Sequence, residues 1–435
     1  MQNAWKDDSY LNGMRNVMDP LADEAVAALF KEDLMTGFIT LFKEPLMPDG
    51  KPRAGLPPEM ERYLIEQAAP PTTWEVDPKL LKTGDDIQSS HGLLTLSILA
   101  AASLPECYID WRGMPVLSLT QQLSRDDAIE RRVIETCLYV NYVLSNKGFE
   151  TGGKALEATR KVRLMHAASR YLILADDEEV SAHLPKAAAD RFNGFDDSYW
   201  PAEGMPINQE DLAYTLQTFS WVAVRGLRTL ELGLDAREEE AIIHCWRLAG
   251  HHMGIQDDLV PGTVAESEAA FDQMKARLAY FDEGNERGIQ GRKDGVDLTN
   301  ALMDWTKDEF IPSVMGMLDK KVGKHRHLLT QEKLEPLSKQ LMLHLVGEET
   351  AGMLGVKRSD FTQDQWDRAR RWLWVIMTTA RIREWGLDRI PGFRVVSNFA
   401  FDMFTGMRWN GIIQSRGWIP FTRDIQDHWS GDRAP

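Results

Sequence analysis

A chain of 435 residues and 49.4 kDa, 43% hydrophobic and 27% charged, is neither disordered nor membrane-like and can form one large domain or two to three ordinary ones. Its 50 Lys and Arg stand against 66 Asp and Glu, and a net charge of −16 repels phosphate backbones and anionic headgroups, so no nucleic-acid partner is expected. Three scattered cysteines (Cys107, Cys137 and Cys245) exclude a disulfide framework and a thiolate zinc site.

From the N-terminus, MQNAWKDDSY has no basic stretch leading into an apolar one, so no export leader is expected. The best apolar run, Leu93 to Leu104, contains Thr95, Ser97 and Ser103 and falls short of the ~20 residues a bilayer span needs. The expectation is a cytoplasmic protein with no membrane span. The opening segment mixes short helices with turn-rich joins such as MPDGKPRAGLPPEM. Pro70 and Pro71 break the chain before a helix predicted over His91 to Ser103.

Better-signalled helices follow. Ser124, with Asp127 three residues on, opens one whose apolar stripe is Ile129, Val133, Cys137, Val140 and Leu144. A second is predicted from Leu156 to Leu174. Asn208 opens a third, carrying Leu212, Leu216, Phe219, Ala223, Leu227 and Leu230 on one face and stopping at Gly233. Asp235 with Glu238 starts a fourth, ending near Gly254. The charged, Gly-rich stretch DEGNERGIQGRKDGVD (282–297) reads as a mobile loop. After Gly392 the pattern becomes aromatic-rich and irregular. The expected fold is one all-α domain over residues 1–435, with a core about 8–395 and a tail (396–435) packed on the body.

Three constellations can carry chemistry. In KVRLMHAASRYLIL (161–174), at about 100° per residue, Arg163, His166 and Arg170 share one helix side, with Val162 and Ile173 flanking the histidine. Two arginines in such a setting need anionic partners from elsewhere in the chain. Neighbouring acidic helices answer that need if His166 is an ordinary core histidine. Haem answers it too, since imidazole ligates iron and arginine suits carboxylate propionates.

In RRVIETCLYV (131–140), Arg132 and Thr136 project near the apolar stripe, while Arg131 and Glu135 point away. They read either as a polar pair placed over a cofactor, or as a snorkelling Arg beside a Thr bonded to its own helix. In HCWRLAGHHMGIQDD (244–258), His244, His251 and Asp257 form a possible non-haem metal set, but an exposed, uncoupled histidine pair is expected. His325 and His327 lie in a basic, solvated patch. Gly-rich phosphate loops and the HExxH, GxSxG and CxxC patterns are absent.

At these residues the sequence resembles the MpaB-type and latex-clearing (rubber) oxygenases, all-helical haem b proteins. DSYLNGMRNVMDPLADEAVAALF, SLPECY (103–108), RRVIET (131–136), VRLMHAASR (162–170), PINQEDLAYTLQTF, WRLAGHHMGIQDDLVP and VGEETAGMLGV (346–356) follow in that family's order, over roughly residues 8 to 395. The resemblance implies that His166 is the proximal haem ligand, and that Arg163 and Arg170 fix the haem through its propionates or by orienting the ligand helix. It implies that Arg132 and Thr136 sit on the oxygen-binding side. Arg132 precedes His166 by 34 residues, the separation of the family's own pair.

The chain departs from the family in WRGMPVLSLTQQLS (111–124), which has no acidic residue where latex-clearing enzymes carry a distal glutamate. The implied activity is a haem b-dependent oxygenase of the dioxygenase type. It uses dioxygen to cleave C=C bonds in an apolar, alkene-bearing or isoprenoid-like substrate. A non-oxygenase haem protein (carrier, gas sensor or peroxidase-like) and a non-haem metal protein stand as alternatives, and nothing in the pattern fixes an oligomeric state.

Overall fold

Side-chain caps set most helix starts in the structure, a computed structural model that describes residues 4–31, 37, 46–47, 50–119, 126–175, 203–232, 234–311 and 331–389. The helices are α1 (Asp8–Met14), α2 (Pro20–Phe30), α3 (Pro58–Gln67), α4 (Pro78–Ile98), α5 (Leu104–Cys107), α6 (Met114–Leu119), α7 (Asp126–Val143) and α8 (Lys154–Leu174). There follow α9 (Gln209–Phe219), α10 (Trp221–Thr229), α11 (Ala236–Met253), α12 (Val264–Leu278), α13 (Glu286–Trp305), α14 (Gln331–Met353) and α15 (Gln363–Arg389). Asp19, Asp77, Asn208, Thr263 and Asn285 each accept a backbone N–H of the first turn of α2, α4, α9, α12 and α13. Asp235 and Glu238 form a reciprocal capping box on α11, and Gly254 ends that helix at φ +83°. The fold is all-α; among the described residues the only extended pairing is a bridge between Leu46 and Pro52.

The main core is built by α4, α7 and α9 to α14. A second apolar cluster joins Ala22, Ala25, Val26 and Phe30 of α2 and Met60, Tyr63 and Leu64 of α3 to Leu164, Ala167, Ala168 and Leu172 of α8. On its other flanks α8 packs on α7 and α11. It is therefore a sandwiched helix, which explains why its polar residues end up buried.

Four expectations are corrected. First, α4 starts at Pro78, not His91, because the Asp77 cap and Pro78 at the first helical position outrank the stretch's weak apolar signal. A π-helical turn (Leu99–Ser103) joins it to α5. Second, the continuous helix Pro78–Cys107 is long and apolar enough to cross a membrane by length and composition, contrary to the reading from Leu93–Leu104. Yet 78% of its most apolar window is buried inside the protein, as in a core helix.

Third, the helix expected from Asn208 to Leu230 breaks at Ser220 into α9 and α10. There α10 lies so close to α4 that a Cβ on Gly226 would sit 2.6 Å from the Ile98 side chain. Fourth, the supposed loop 282–297 is mostly α13. Its glycines are contact points: a Cβ would meet the Phe281 ring at 2.4 Å on Gly288, the Trp111 carbonyl at 2.3 Å on Gly291 and the Tyr108 carbonyl at 2.4 Å on Gly295. The glycines at this spacing signal close helix approach, not a loop. Ser124, Gly233, His325, His327 and the tail after Gly392 lie outside the described residues.

Candidate functional site

Helix α8 carries Arg163, His166 and Arg170 as the sequence pattern requires, and the structure supplies the missing anions. Arg163, 6% exposed, donates from Nε to Asp19 Oδ2 at 2.6 Å and from Nη2 to Asp19 Oδ1 at 2.9 Å, a two-pronged pair. Arg170, 2% exposed, donates from Nε to Asp23 Oδ1 at 2.7 Å, with Nη2 2.6 Å from the same oxygen. Their Nη1 atoms reach carbonyls, Arg163 to His252 O at 3.2 Å and Arg170 to Ile207 O at 3.3 Å, while Arg170 Nη2 makes the ion pair but no hydrogen bond among the described residues. Burial alone would lower the Arg163 pKa, but Asp19 outweighs it and holds the guanidinium above its usual value. Burial raises the Asp23 carboxyl against the opposing pull of Arg170. His166 sits half-buried between the two pairs.

The same corner is closed by backbone. A Cβ on Gly254 would lie 2.5 Å from the Arg163 guanidinium, so this position requires glycine both for its positive φ and for space. Gln209 ties the corner to the N-terminal segment, donating from Nε2 to Met18 O and to Gly254 O at 3.0 Å each. His252 donates from Nδ1 to Gln67 O at 2.8 Å and stacks on Phe149 at 5.1 Å, and burial lowers its pKa to about 4.

Across from α8, α7 presents Arg132 and Thr136, both half-buried. The Tyr139 hydroxyl meets the Thr159 hydroxyl at 2.9 Å between the two helices. Arg132 lies seven residues before Tyr139 and His166 seven after Thr159, each about 10 Å along its own helix from this contact. Thr136 donates its hydroxyl to Arg132 O at 2.7 Å, and Arg131 pairs with Glu135 at 3.1 Å on the helix's other side. Arg132 itself has no carboxylate partner among the described residues.

The Arg132 charge is felt by Cys107 and Tyr108 at the end of α5. Burial pushes both groups up to about 12, and Arg132 pulls each partly back. Cys107 Sγ lies 2.8 Å from Thr218 Oγ1, and the hydroxyl of Tyr108, a residue 1% exposed, has no partner among the described residues.

Comparison with known proteins identifies the family. Residues 120–382, more than half of the chain, match the family model described as ER-bound oxygenase mpaB/B'/Rubber oxygenase, catalytic domain. The chain belongs to this family. It is 22% identical to the rubber oxygenase of Streptomyces sp. (strain K30) over 271 residues, 62% of this chain, and spans 61% of that relative's length. The structure of the latex clearing protein LCP in its closed state superposes with a TM-score of 0.59 at 18% identity, covering 90% of each chain, a likeness of fold.

The segments that carried the family resemblance meet in space at two places. MDPLAD (18–23), VRLMHAASR, Asn208–Gln209 and HHMG (251–254) converge around Arg163 and Arg170, and SLPECY, RRVIET and Thr218 converge around Arg132. Sequence reading missed Asp19, Asp23, Gln209, Cys107, Tyr108 and Thr218. Only the need of two arginines for distant anions pointed toward the first pair, and DPLAD reads locally as nothing more than a helix cap.

The histidine set is a correction. His244 is buried, not exposed, and its Nε2 accepts the Asp77 N–H at 2.9 Å, consistent with the lowering of its pKa by burial. His251 is coupled, not free: its Nδ1 lies 3.0 Å from Asp257 Oδ1 and its Nε2 3.1 Å from Ala69 O. The segment from Ala69 to Asp77 covers the helix side that periodicity assigns to solvent. With their nitrogens so committed, His244, His251 and Asp257 do not converge on a common point, and among the described residues no group of three such side chains can hold an ion.

The haem b that the family resemblance implies can be tested against the donors present. A braced helix carries the His166 imidazole, and the helix it contacts carries the Arg132 guanidinium, whose charge reaches the buried Tyr108 hydroxyl; among the described residues the one has no carboxylate and the other no hydrogen-bond partner. A nitrogen ligand with hydrogen-bond donors on a neighbouring helix is a donor set that suits such a group. The residues fit.

Proposed function

We propose that this protein is a haem b-dependent oxygenase of the dioxygenase type, cleaving a carbon–carbon double bond in an apolar, isoprenoid-like substrate with dioxygen. Family membership supports the reading, and the observation that carries it is Arg132, half-buried on the helix that contacts the His166 helix and without a carboxylate partner among the described residues. Haem, when bound, supplies the redox-active iron for the dioxygen chemistry.

His166 would hold the haem iron through its imidazole from α8. Arg132 would bring a fixed positive charge and a fork of N–H donors to the site. Thr136, its proton given to Arg132 O, steadies the turn from which Arg132 projects and keeps lone pairs for accepting. Tyr108 adds a buried O–H donor beside it. Arg163 and Arg170, each paired with a carboxylate and a backbone carbonyl, would orient the ligand helix, and Arg170 Nη2, ion-paired with Asp23 but making no hydrogen bond among the described residues, keeps a donor to spare.

The test begins with colour. Purified or haem-reconstituted protein should show a Soret band that His166→Ala loses, and oxygen uptake should follow addition of an alkene-bearing isoprenoid. Arg132→Ala should keep the band and lose the uptake by about 10²–10³-fold. Protein that stays colourless after reconstitution rejects the reading. Haem-loaded protein that consumes no oxygen with any such alkene is a carrier or sensor instead.

A further inference from the structure

The partners of Arg163 and Arg170 come from α2, outside the 120–382 stretch that matches the family's catalytic domain. Asp19 accepts the Ala22 N–H at 3.4 Å as cap of α2, and Asp23 Oδ2 accepts the Asp19 N–H at 3.2 Å. Both carboxylates are thus fixed by the first turn of α2 before they meet an arginine. The positive end of the helix dipole also attracts the negative charge of a carboxylate at this end. Arg163 lies three residues before His166 and Arg170 four after, so the two pairs grip α8 one turn to either side of the imidazole.

Further contacts hold α2 itself in place. Arg15 Nη1 reaches Glu210 at 3.3 Å and Asp211 at 3.1 Å, the Gln209 N–H donates to Val17 O at 2.9 Å, and Gln209 Nε2 donates to Met18 O. The brace is therefore an N-terminal strap seated on a carboxylate-bearing helix, not a loose arm.

We infer that Asp19 and Asp23 are positioning residues for the haem ligand: α2 sets the height and rotation of His166 through Arg163 and Arg170, and the N-terminal segment is part of the haem-holding machinery. This rests on the proposed function. Groups that orient a metal-bound histidine typically change affinity by about 10- to 100-fold when removed. Here they act through the helix carrying the ring rather than on the ring itself.

The experiment uses full-length, haem-reconstituted protein. Haem transfer to excess apomyoglobin and the ferrous iron–imidazole stretching band are recorded for the wild type, Asp19→Asn, Asp23→Asn, Asp23→Glu and His166→Ala. Thermal melting of each haem-free variant runs alongside. Both Asn variants should release haem about 10- to 100-fold faster with a shifted band, and Asp23→Glu, which restores the charge, should return most of the wild-type rate and band.

Folded Asn variants with wild-type release and an unshifted band overturn the inference, as does faster release that merely tracks a lower melting temperature with the band unmoved. Should Asp19→Asn not fold, Asp23→Asn decides alone, since the Asp23 side chain keeps 25% exposure. Wild-type protein that binds no haem, or His166→Ala with an unchanged band, instead brings down the proposed function and this inference with it. Loss of the band in His166→Ala with silent Asn variants brings down only the inference.

Discussion

The two sides of the α7–α8 pair treat their polar groups in opposite ways. On the α2 side of α8, each arginine flanking His166 is met by a carboxylate and a backbone carbonyl. On the α7 side, Arg132 has no carboxylate and Tyr108 no hydrogen-bond partner among the described residues. A cluster saturated in charge, each arginine matched by a carboxylate, resists rearrangement, because any shift strands a buried charge. An open one carries a standing cost that only a bound molecule relieves. Under the proposed function, the paired side holds the helix that carries the iron ligand and the unpaired side receives the reactant.

The saturated side can be broken most forcefully. Asp19→Ala leaves Arg163 buried and unpaired and should destabilise the protein by about 3–5 kcal/mol in urea unfolding. Replacing both partners, Asp19→Leu with Arg163→Met, should cost clearly less, because no charge is stranded. If the double replacement costs as much as the two single ones together, the pair is not the closed unit described.

Acid attacks the same corner next. His252 has its pKa lowered to about 4 by burial, against about 6.5 for an ordinary histidine. A depressed value means the neutral ring is favoured in the fold. The contribution is thus fully present above pH 6.5 and lost as pH falls through about 4. Unfolding titrations should lose on the order of 2–3 kcal/mol over that window from this group. In His252→Gln, which keeps a donor for Gln67 but cannot titrate, the dependence should flatten. An unchanged slope in that variant would show that another group controls acid sensitivity.

The sequence made the open side more legible than the saturated one. Helical periodicity alone put Arg132 on the stripe side of α7 and Arg163, His166 and Arg170 on one face of α8, because local geometry determines faces. It also found the caps at Asn208 and Asp235, which depend on residues three apart. Asp19 and Asp23 were invisible because ion pairs across 144 and 147 residues leave no local trace. The Gly-rich 282–297 stretch misled for a related reason: glycine is ambiguous between a loop and a close helix contact until the neighbour is known. His244 and His251 seemed exposed since the covering segment, Ala69 to Asp77, has no periodicity of its own.

That ambiguity gives a prediction of middle size, testing what seats the open side. The Tyr108–Trp111 turn rests its carbonyls on Gly291 and Gly295 of α13. Gly291→Ala puts a methyl 2.3 Å from the Trp111 carbonyl oxygen, which must move, and should cost about 1–3 kcal/mol. Gly284→Ala, with nothing within 4 Å, should change stability by no more than about 0.5 kcal/mol. Equal melting temperatures for the two variants would mean that the glycines do not fix the turn carrying Tyr108.

The smallest effect is the most discriminating. Tyr108→Phe removes a buried hydroxyl and nothing else. If that hydroxyl has no protein partner, its loss leaves no orphan behind, and the haem-free protein should be unchanged or up to about 1 kcal/mol more stable. Oxygen uptake by the loaded protein should nevertheless fall, by roughly tenfold for one neutral hydrogen bond. Stability and activity moving in opposite directions is the signature of a group kept for a reactant rather than for the fold. A haem-free Tyr108→Phe protein destabilised by more than about 1 kcal/mol would show that the hydroxyl is already satisfied, and the contrast between the two sides of the α7–α8 pair would vanish at the residue where it is sharpest.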